Sequence, residues 1–379
     1  MDHAAQVDLA RRLLVRVKNE PGSAATEKPR TALISRSRYL SHAFFLAERQ
    51  RVFTTTPQIV AHASDLAQPG ACLTADVAGV SLLLTRAADG QVRAFRNACR
   101  HRGTELVSGA APCSKKAIVC PYHGWTYDLA GRRIGAPHLP VFAGEDRDRD
   151  ALVPAFAELH HGLVWASLAP FDARVHLGAL DEEIAAVELS AWKVHKRSLH
   201  DVHGNWKLVV DAFLDGYHIR HLHRETVYRF FFDAQSEAER VGMHIRAATA
   251  RRTLGDAHEN DLTAQNLRAL VTPSYVVFPN TVFILHPDYT SVIRLEPIAA
   301  NRTRFSHTML VPSTTAEDQR AHFDKSFALI DEGVFVREDL AIVEAMQRGM
   351  ESSADDTLLF GELEIAAKWF HESIDALVG

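Results

Sequence analysis

The chain is poor in cysteine, carries no excess of basic charge and has no long apolar run, and each shortage removes a class of protein. Four cysteines among 379 residues, Cys72, Cys99, Cys113 and Cys120, are too few to staple a fold of this size with disulfides. A formal charge of −5 and a pI near 6.5 provide no concentrated basic face for nucleic acid or an anionic membrane. No segment approaches the run of about eighteen apolar residues that a membrane helix needs. The opening residues also lack a basic stretch followed by an apolar one, so the expectation is a cytoplasmic protein acting on small molecules. No Gly-x-Gly-x-x-Gly follows a strand-like run, so no dinucleotide site is expected in this chain.

What is present is a large apolar fraction, 47%, in a chain longer than the roughly 250 residues at which single cores stop growing. Two domains are expected, with a leading segment. Leu9, Leu13, Leu14 and Val17 have helical spacing, and residues 1–46 read as a helical segment packing on the later domain. Residues 47–167 turn to short alternating runs such as Val80-Ser-Leu-Leu-Leu, punctuated by Pro69-Gly70 and Asp89-Gly90, which describes a small all-β domain. Residues 168–379 mix helices over 208–223 and 323–350 with strands over 274–278, 281–286, 291–295 and 304–311, so this domain is α+β with an antiparallel sheet and long helices. The charged run Glu145 to Asp150 reads as a solvated loop.

Two ligand patterns stand out. Cys99-x-His101 with Cys120-x-x-His123 offers two thiolates and two imidazoles, a set that suits either a structural zinc or a [2Fe-2S] cluster with cysteines on one iron and histidines on the other. Cys72 and Cys113 have no such partner and read as ordinary free thiols. The second pattern is Asp215-x-x-His218-x4-His223. Two histidines and a carboxylate with open positions form the facial triad of non-haem iron oxygenases, which here requires a distant acid. On helix geometry alone His218 pairs better with His221 than with His223.

Cys99-Arg-His-Arg-Gly103 and Cys120-Pro-Tyr-His-Gly-Trp-Thr-Tyr127, preceded by Asp89-Gly-Gln-Val-Arg-Ala-Phe-Arg-Asn97, resemble the two loops of the Rieske domain in ring-hydroxylating oxygenases. The resemblance continues through Asn205-Trp-Lys and Asp215-Gly-Tyr-His218 to Glu338-Asp339, covering nearly the whole chain after about Ser35. It implies a Rieske [2Fe-2S] cluster on Cys99, His101, Cys120 and His123, and a catalytic domain of helix-grip, START-like form. It implies a mononuclear Fe(II) held by His218, His223 and Asp339, with Glu338 or Glu344 as the alternative acid, a distortion or wide turn between the two histidines, and His221 left to packing or to supporting a ligand.

The same resemblance gives Asp215 the role of a carboxylate bridging the two metal sites and places Asn205 near the iron, although a capping role for Asn205 remains open. Ala212 stands where many relatives carry Asn. Gly103 and Gly124 would bring loop amides to the cluster or serve as turn glycines; His138, outside both loops, reads as a surface or packing residue. No disulfide between the two loops is expected.

The activity so implied is that of a terminal oxygenase using O2 and electrons drawn from NAD(P)H through a separate reductase, with or without a ferredoxin, in a head-to-tail homotrimer. Phe213, Tyr228, Phe230, Phe231, Phe232 and Tyr289 would line a pocket for an aromatic substrate, by mono- or dioxygenation, or simply fill the core. The alternative is oxidative demethylation or hydroxylation of a quaternary amine or ether. A reading of another class is a Rieske electron carrier without oxygenase activity; a third is a zinc-stabilised binding module.

Overall fold

Antiparallel strands dominate both halves of the chain in the computed structural model, which describes residues 4–19, 31–109, 112–138 and 150–379. Residues 53–176 with 189–193 form one compact unit; residues 1–52, 177–188 and 194–379 form the other.

The smaller unit is built on a seven-stranded sheet. Its order is Gln58–His62, Leu163–Ser167, Pro154–His160, Val92–Arg96, Val80–Arg86, Ala71–Val77, Cys113–Ser114. The period-2 alternation of strands explains why three successive leucines can all be buried. Leu82 and Leu84 face one cluster with Leu73, Val77 and Ala94, while Leu83 faces another with Phe95, Ile118, Trp125 and Tyr127. That second cluster also contains Cys99 and Cys120, so the ligand loops are seated on a packed apolar floor. It contains Cys72 as well, and here the free-thiol expectation is corrected. Cys72 and Cys113 are register partners on neighbouring strands, with Cα atoms 5.2 Å apart, and they form a disulfide. The sequence hid this because the partner strand is only two residues long. Of the charged run from Glu145, only Asp150 lies within the described residues; its carboxylate is 3.3 Å from Arg133 Nε.

The larger unit is α+β. Its seven-stranded antiparallel sheet has the order Trp192–Val202, Arg302–Pro312, Thr290–Ala299, Thr281–Leu285, Val271–Val277, His244–Arg251, Phe231–Val241. The four strands expected from sequence are its apolar centre. The three not expected include both edges, which are half-buried and polar along much of their length, WKVHKRSLHDV and FFDAQSEAERV; edge strands need no continuous apolar face. The first helix, Ala4–Asn19, buries Leu9, Leu13, Leu14 and Val17 against Ala248, Ala250 and Leu254. Helix Ile365–Val378 buries Ala366, Phe370 and Ile374. Among the described residues no helix is long and apolar enough to cross a membrane.

Two helical regions position the site. Residues 320–352 are helical throughout, but the middle, Leu329–Leu340, is π-helical, a wide form that concentrates at functional sites. The single helix expected over 208–223 is instead broken. Helix Trp206–Phe213 stops, and one turn, Ile219–Leu222, follows. The break has a local cause. Asp215 Oδ1 accepts from Tyr217 N at 2.5 Å, closing a side-chain-stabilised turn. Gly216 lies so close to strand Phe231–Val241 that an added Cβ would overlap Ser236 Oγ.

Candidate metal centres and the adjoining cavity

In the smaller unit, Cys99, His101, Cys120 and His123 come together from two turns. Each turn is closed on its cysteine: Gly103 N donates to Cys99 O at 2.8 Å and Gly124 N to Cys120 O at 3.1 Å. Both glycines have positive φ, 76° and 70°, a conformation costly for other residues. Their amides are thereby spent on the turns, so the turn reading replaces the expectation that they donate to a cluster. His138 is exposed. The cysteines are buried, not disulfide-bonded, and near enough to share a hydrogen bond. Tyr127 Oη lies 3.3 Å from Cys99 Sγ. The imidazoles of His101 and His123 have centroids 4.6 Å apart, and His101 stacks on Trp125 at 5.0 Å, which in turn carries the Arg133 guanidinium. A pair of neighbouring thiols and a pair of neighbouring imidazoles, carried by the same two turns over a packed floor, fit a [2Fe-2S] cluster with the cysteines on one iron and the histidines on the other.

In the larger unit, His218, His223 and Asp339 converge with ligand atoms within 4.8 Å of one another. His218 and His223 flank the single turn Ile219–Leu222, so the wide turn expected between them is one helical turn, and the irregularity lies upstream of His218. His221 points to solvent, which corrects its assignment to packing or to ligand support. The π-helical segment delivers Asp339, 7% exposed, and Glu338 beside it.

Hydrogen bonds then fix the tautomers. His218 Nδ1 is 3.3 Å from Asp215 Oδ2, and His223 Nδ1 is 2.7 Å from Glu338 Oε2. Ionised carboxylates only accept, so both Nδ1 atoms carry the proton and both Nε2 atoms present lone pairs. Those Nε2 atoms face each other at 3.1 Å, with Asp339 Oδ1 3.2 Å from His223 Nε2, 3.8 Å from His218 Nε2, and without a hydrogen bond of its own among the described residues. Two lone pairs and an orphaned carboxylate oxygen directed at one point fit a divalent cation. Burial would lower the His223 pKa, but the carboxylates of Asp339 and Glu338 outweigh it and raise it.

Asn205 is not part of this group. It is 1% exposed and caps helix Trp206–Phe213: its Oδ1 accepts from Lys207 N at 3.0 Å, and its Nδ2 donates to the carbonyls of Tyr39 and Ala300. The placement of Asn205 at the iron is therefore corrected to a cap whose amide is fully spent on backbone.

A cavity of about 460 Å³ opens beside the triad. Of the six aromatics expected there, Phe213, Phe230, Phe231 and Tyr289 line it; Phe232 packs with the first helix and Tyr228 lies under Arg252. Ala212 contributes only a methyl to the lining. Three further lining residues, Phe335, His286 and Arg251, lie outside every motif read from the sequence. His286 stacks on Tyr289 at 4.1 Å and leads through Ser291 and His307 to Asp331. Burial, with help from His307 and Arg251, holds its pKa down to about 3.

Comparison with known proteins places the chain in a family. Residues 189–379 match the family described as the ring hydroxylating alpha subunit (catalytic domain), and residues 56–152 match the Rieske [2Fe-2S] domain. The carnitine monooxygenase oxygenase subunit of Acinetobacter pittii is 28% identical over 325 residues, 83% of this chain and 84% of that protein. The chloroplastic choline monooxygenase of Spinacia oleracea is 25% identical over 329 residues, 83% and 71%. Among solved structures, the quaternary ammonium Rieske monooxygenase CntA in complex with L-carnitine superposes with a TM-score of 0.75 at 23% identity, over 90% of this chain and 95% of that one. Naphthalene 1,2-dioxygenase from Rhodococcus sp. bound to indole gives 0.79 at 18%, over 100% and 99%; at these identities the structures speak to fold alone. The chain belongs to the ring-hydroxylating alpha-subunit family of Rieske non-haem iron oxygenases, whose members use a [2Fe-2S] cluster, a mononuclear iron, O2 and electrons from a reductase.

Proposed function

We propose that this chain is a terminal oxygenase acting on a methylated ammonium compound, with His218, His223 and Asp339 on the mononuclear iron and Cys99, His101, Cys120 and His123 on the cluster. The observation that carries the reading is the convergence of two Nε2 lone pairs and the orphaned Asp339 Oδ1 in the wall of the 460 Å³ cavity. When bound, the cluster supplies electrons singly and the iron activates dioxygen next to the substrate. The chain's own residues have simpler work. Asp215 and Glu338 hold the two imidazoles in register by accepting their Nδ1 protons, a support that metal-binding histidines usually need. Phe213 and Phe335, edge to face at 5.7 Å, form an apolar part of the lining that keeps water from the reacting carbon.

The relatives act on carnitine, choline and glycine betaine by name, which favours the quaternary-amine alternative over the aromatic one. The cavity agrees. Its lining holds five carboxylates, Asp215, Glu237, Asp288, Asp339 and Glu362, against two guanidinium groups, a balance suited to a cationic ligand even after a divalent metal is added. The faces of Phe230 and Phe231, on which an aromatic substrate would stack, lie under Arg251. In this reading Asp215 would link His218 to a cluster histidine of the neighbouring subunit in a head-to-tail trimer, and an NAD(P)H-dependent reductase would be the source of electrons. The cytoplasm is the compartment proposed for this exchange.

The test is a product screen with a surrogate reductase. Trimethylammonium compounds should give oxygenated or demethylated product with matching O2 uptake, and naphthalene-type aromatics should not. Exclusive formation of aromatic hydroxylation products would overturn the substrate reading.

A further inference from the structure

Of the two arginines that line the cavity, one is matched to an acid. Arg16 pairs with Glu237. Arg251 is the exception. It lies at the end of strand His244–Arg251, in the cavity wall, and forms no ion pair with a carboxylate among the described residues. One of its five N–H groups is spoken for, Nη1 donating to Thr272 Oγ1 at 3.2 Å. The two rings beneath it, Phe230 at 5.7 Å and Phe231 at 5.5 Å, hold the guanidinium without neutralising it. Asp288, which also lines the cavity, is taken by His322 Nε2 at 2.6 Å. Burial pulls the Arg251 pKa below its ordinary value, the mark of a cation partly stripped of water.

An unmatched guanidinium facing a ligand cavity is costly until an anion arrives, and its planar fork suits a carboxylate best. The same cavity carries an excess of carboxylates elsewhere on its lining. We propose that Arg251 binds a carboxylate of the substrate, so that the substrate is a zwitterion with a methylated ammonium at one end and a carboxylate at the other. This rests on the proposed oxidation at a methylated ammonium; what it adds is the second recognition group and the residue that reads it. A simple trimethylammonium alcohol leaves the guanidinium unanswered and adds a second positive charge. Arg251 is a specificity residue here and takes no part in the oxygenation itself.

The experiment compares two substrates of equal length, a trimethylammonium carboxylate and the corresponding trimethylammonium alcohol, in wild type, Arg251→Met and Arg251→Lys. Wild type should favour the carboxylate. In Arg251→Met, kcat/KM for the carboxylate should fall about 10- to 100-fold more than for the alcohol, chiefly through KM, given the usual strength of hydrogen bonds to a charged group. Arg251→Lys should recover part of the difference. Equal losses for both substrates, or a wild-type preference for the alcohol, would overturn the proposal. If wild type oxidises neither compound but does oxidise aromatics, the ammonium reading has failed, and benzoate against benzyl alcohol becomes the pair. A benzoate preference erased by Arg251→Met then keeps the carboxylate role, and no preference removes it.

Discussion

The cluster loops and the triad gather their ligands in opposite ways. Cys99 to His123 is a local arrangement: two turns, each closed by a glycine amide on the carbonyl of its own cysteine, resting on the apolar floor of a β unit. The triad is assembled at long range. His223 receives Glu338 from 115 positions away, and Asp339 comes from the part of a long helix that widens to π geometry. A local site is written in a short motif, whereas a long-range site is written in the fold. The cluster site should therefore fail through its ligands alone, and the triad through its supports as well.

The largest effects separate the two centres. Asp339→Ala should abolish product formation, by about a thousandfold or more, given the loss of the reacting metal, yet leave the visible absorption of the cluster intact. Cys99→Ser should abolish both product and colour. If Asp339→Ala bleached the protein, the two centres would not be independent. Next in size is Glu338→Gln, which removes the carboxylate under His223 Nδ1 and Thr226 Oγ1. Loss of such a support costs about 10- to 100-fold in metal affinity or activity, to be measured by iron titration of the stripped protein. An unchanged iron affinity would make the triad as self-sufficient as the loops.

How much of this was legible in the sequence follows from the same contrast. Cys99, His101, Cys120 and His123 are close in sequence and pair soft thiolates with imidazoles, so a shared metal site could be read directly. His218, His223 and Asp339 needed the resemblance, because simple helix geometry favoured His221, which the break at Asp215–Tyr217 turns out to solvent. Asn205 misled because a buried Asn beside a metal motif looks the same on paper whether it serves the reaction or caps a helix. The Cys72–Cys113 pairing depends on strand register, and Arg251 on the absence of an acid partner in space among the described residues; neither property exists before folding. The apolar strands at the sheet's centre were visible, and its polar edges were not.

A smaller effect distinguishes the cavity wall from the loops. His286 is held neutral down to about pH 3, against an ordinary value of 6.5. The unfolded chain binds a proton below pH 6.5 that the folded chain refuses, so stability falls as pH drops through that window, by at most about 1.4 kcal/mol per pH unit. Urea midpoints at pH 7 and pH 5 should fall further in wild type than in His286→Gln; parallel losses would remove His286 as the cause. The smallest effect belongs to the cluster. Tyr127→Phe removes the hydroxyl beside Cys99 Sγ. A hydrogen bond to a thiolate favours the reduced, more negative state, so its loss should lower the midpoint potential by about 40 mV, equivalent to about 1 kcal/mol. A potential that stays put would show that the hydroxyl serves Arg100 N, its 3.0 Å neighbour, and not the sulfur.

The most direct measurement counts iron and acid-labile sulfide per chain in wild type, His223→Ala and Cys99→Ser. Two independent centres predict about three irons and two sulfides, about two and two, and about one and none, in that order. A His223→Ala protein that keeps all three irons, or a wild type without sulfide, would contradict the account.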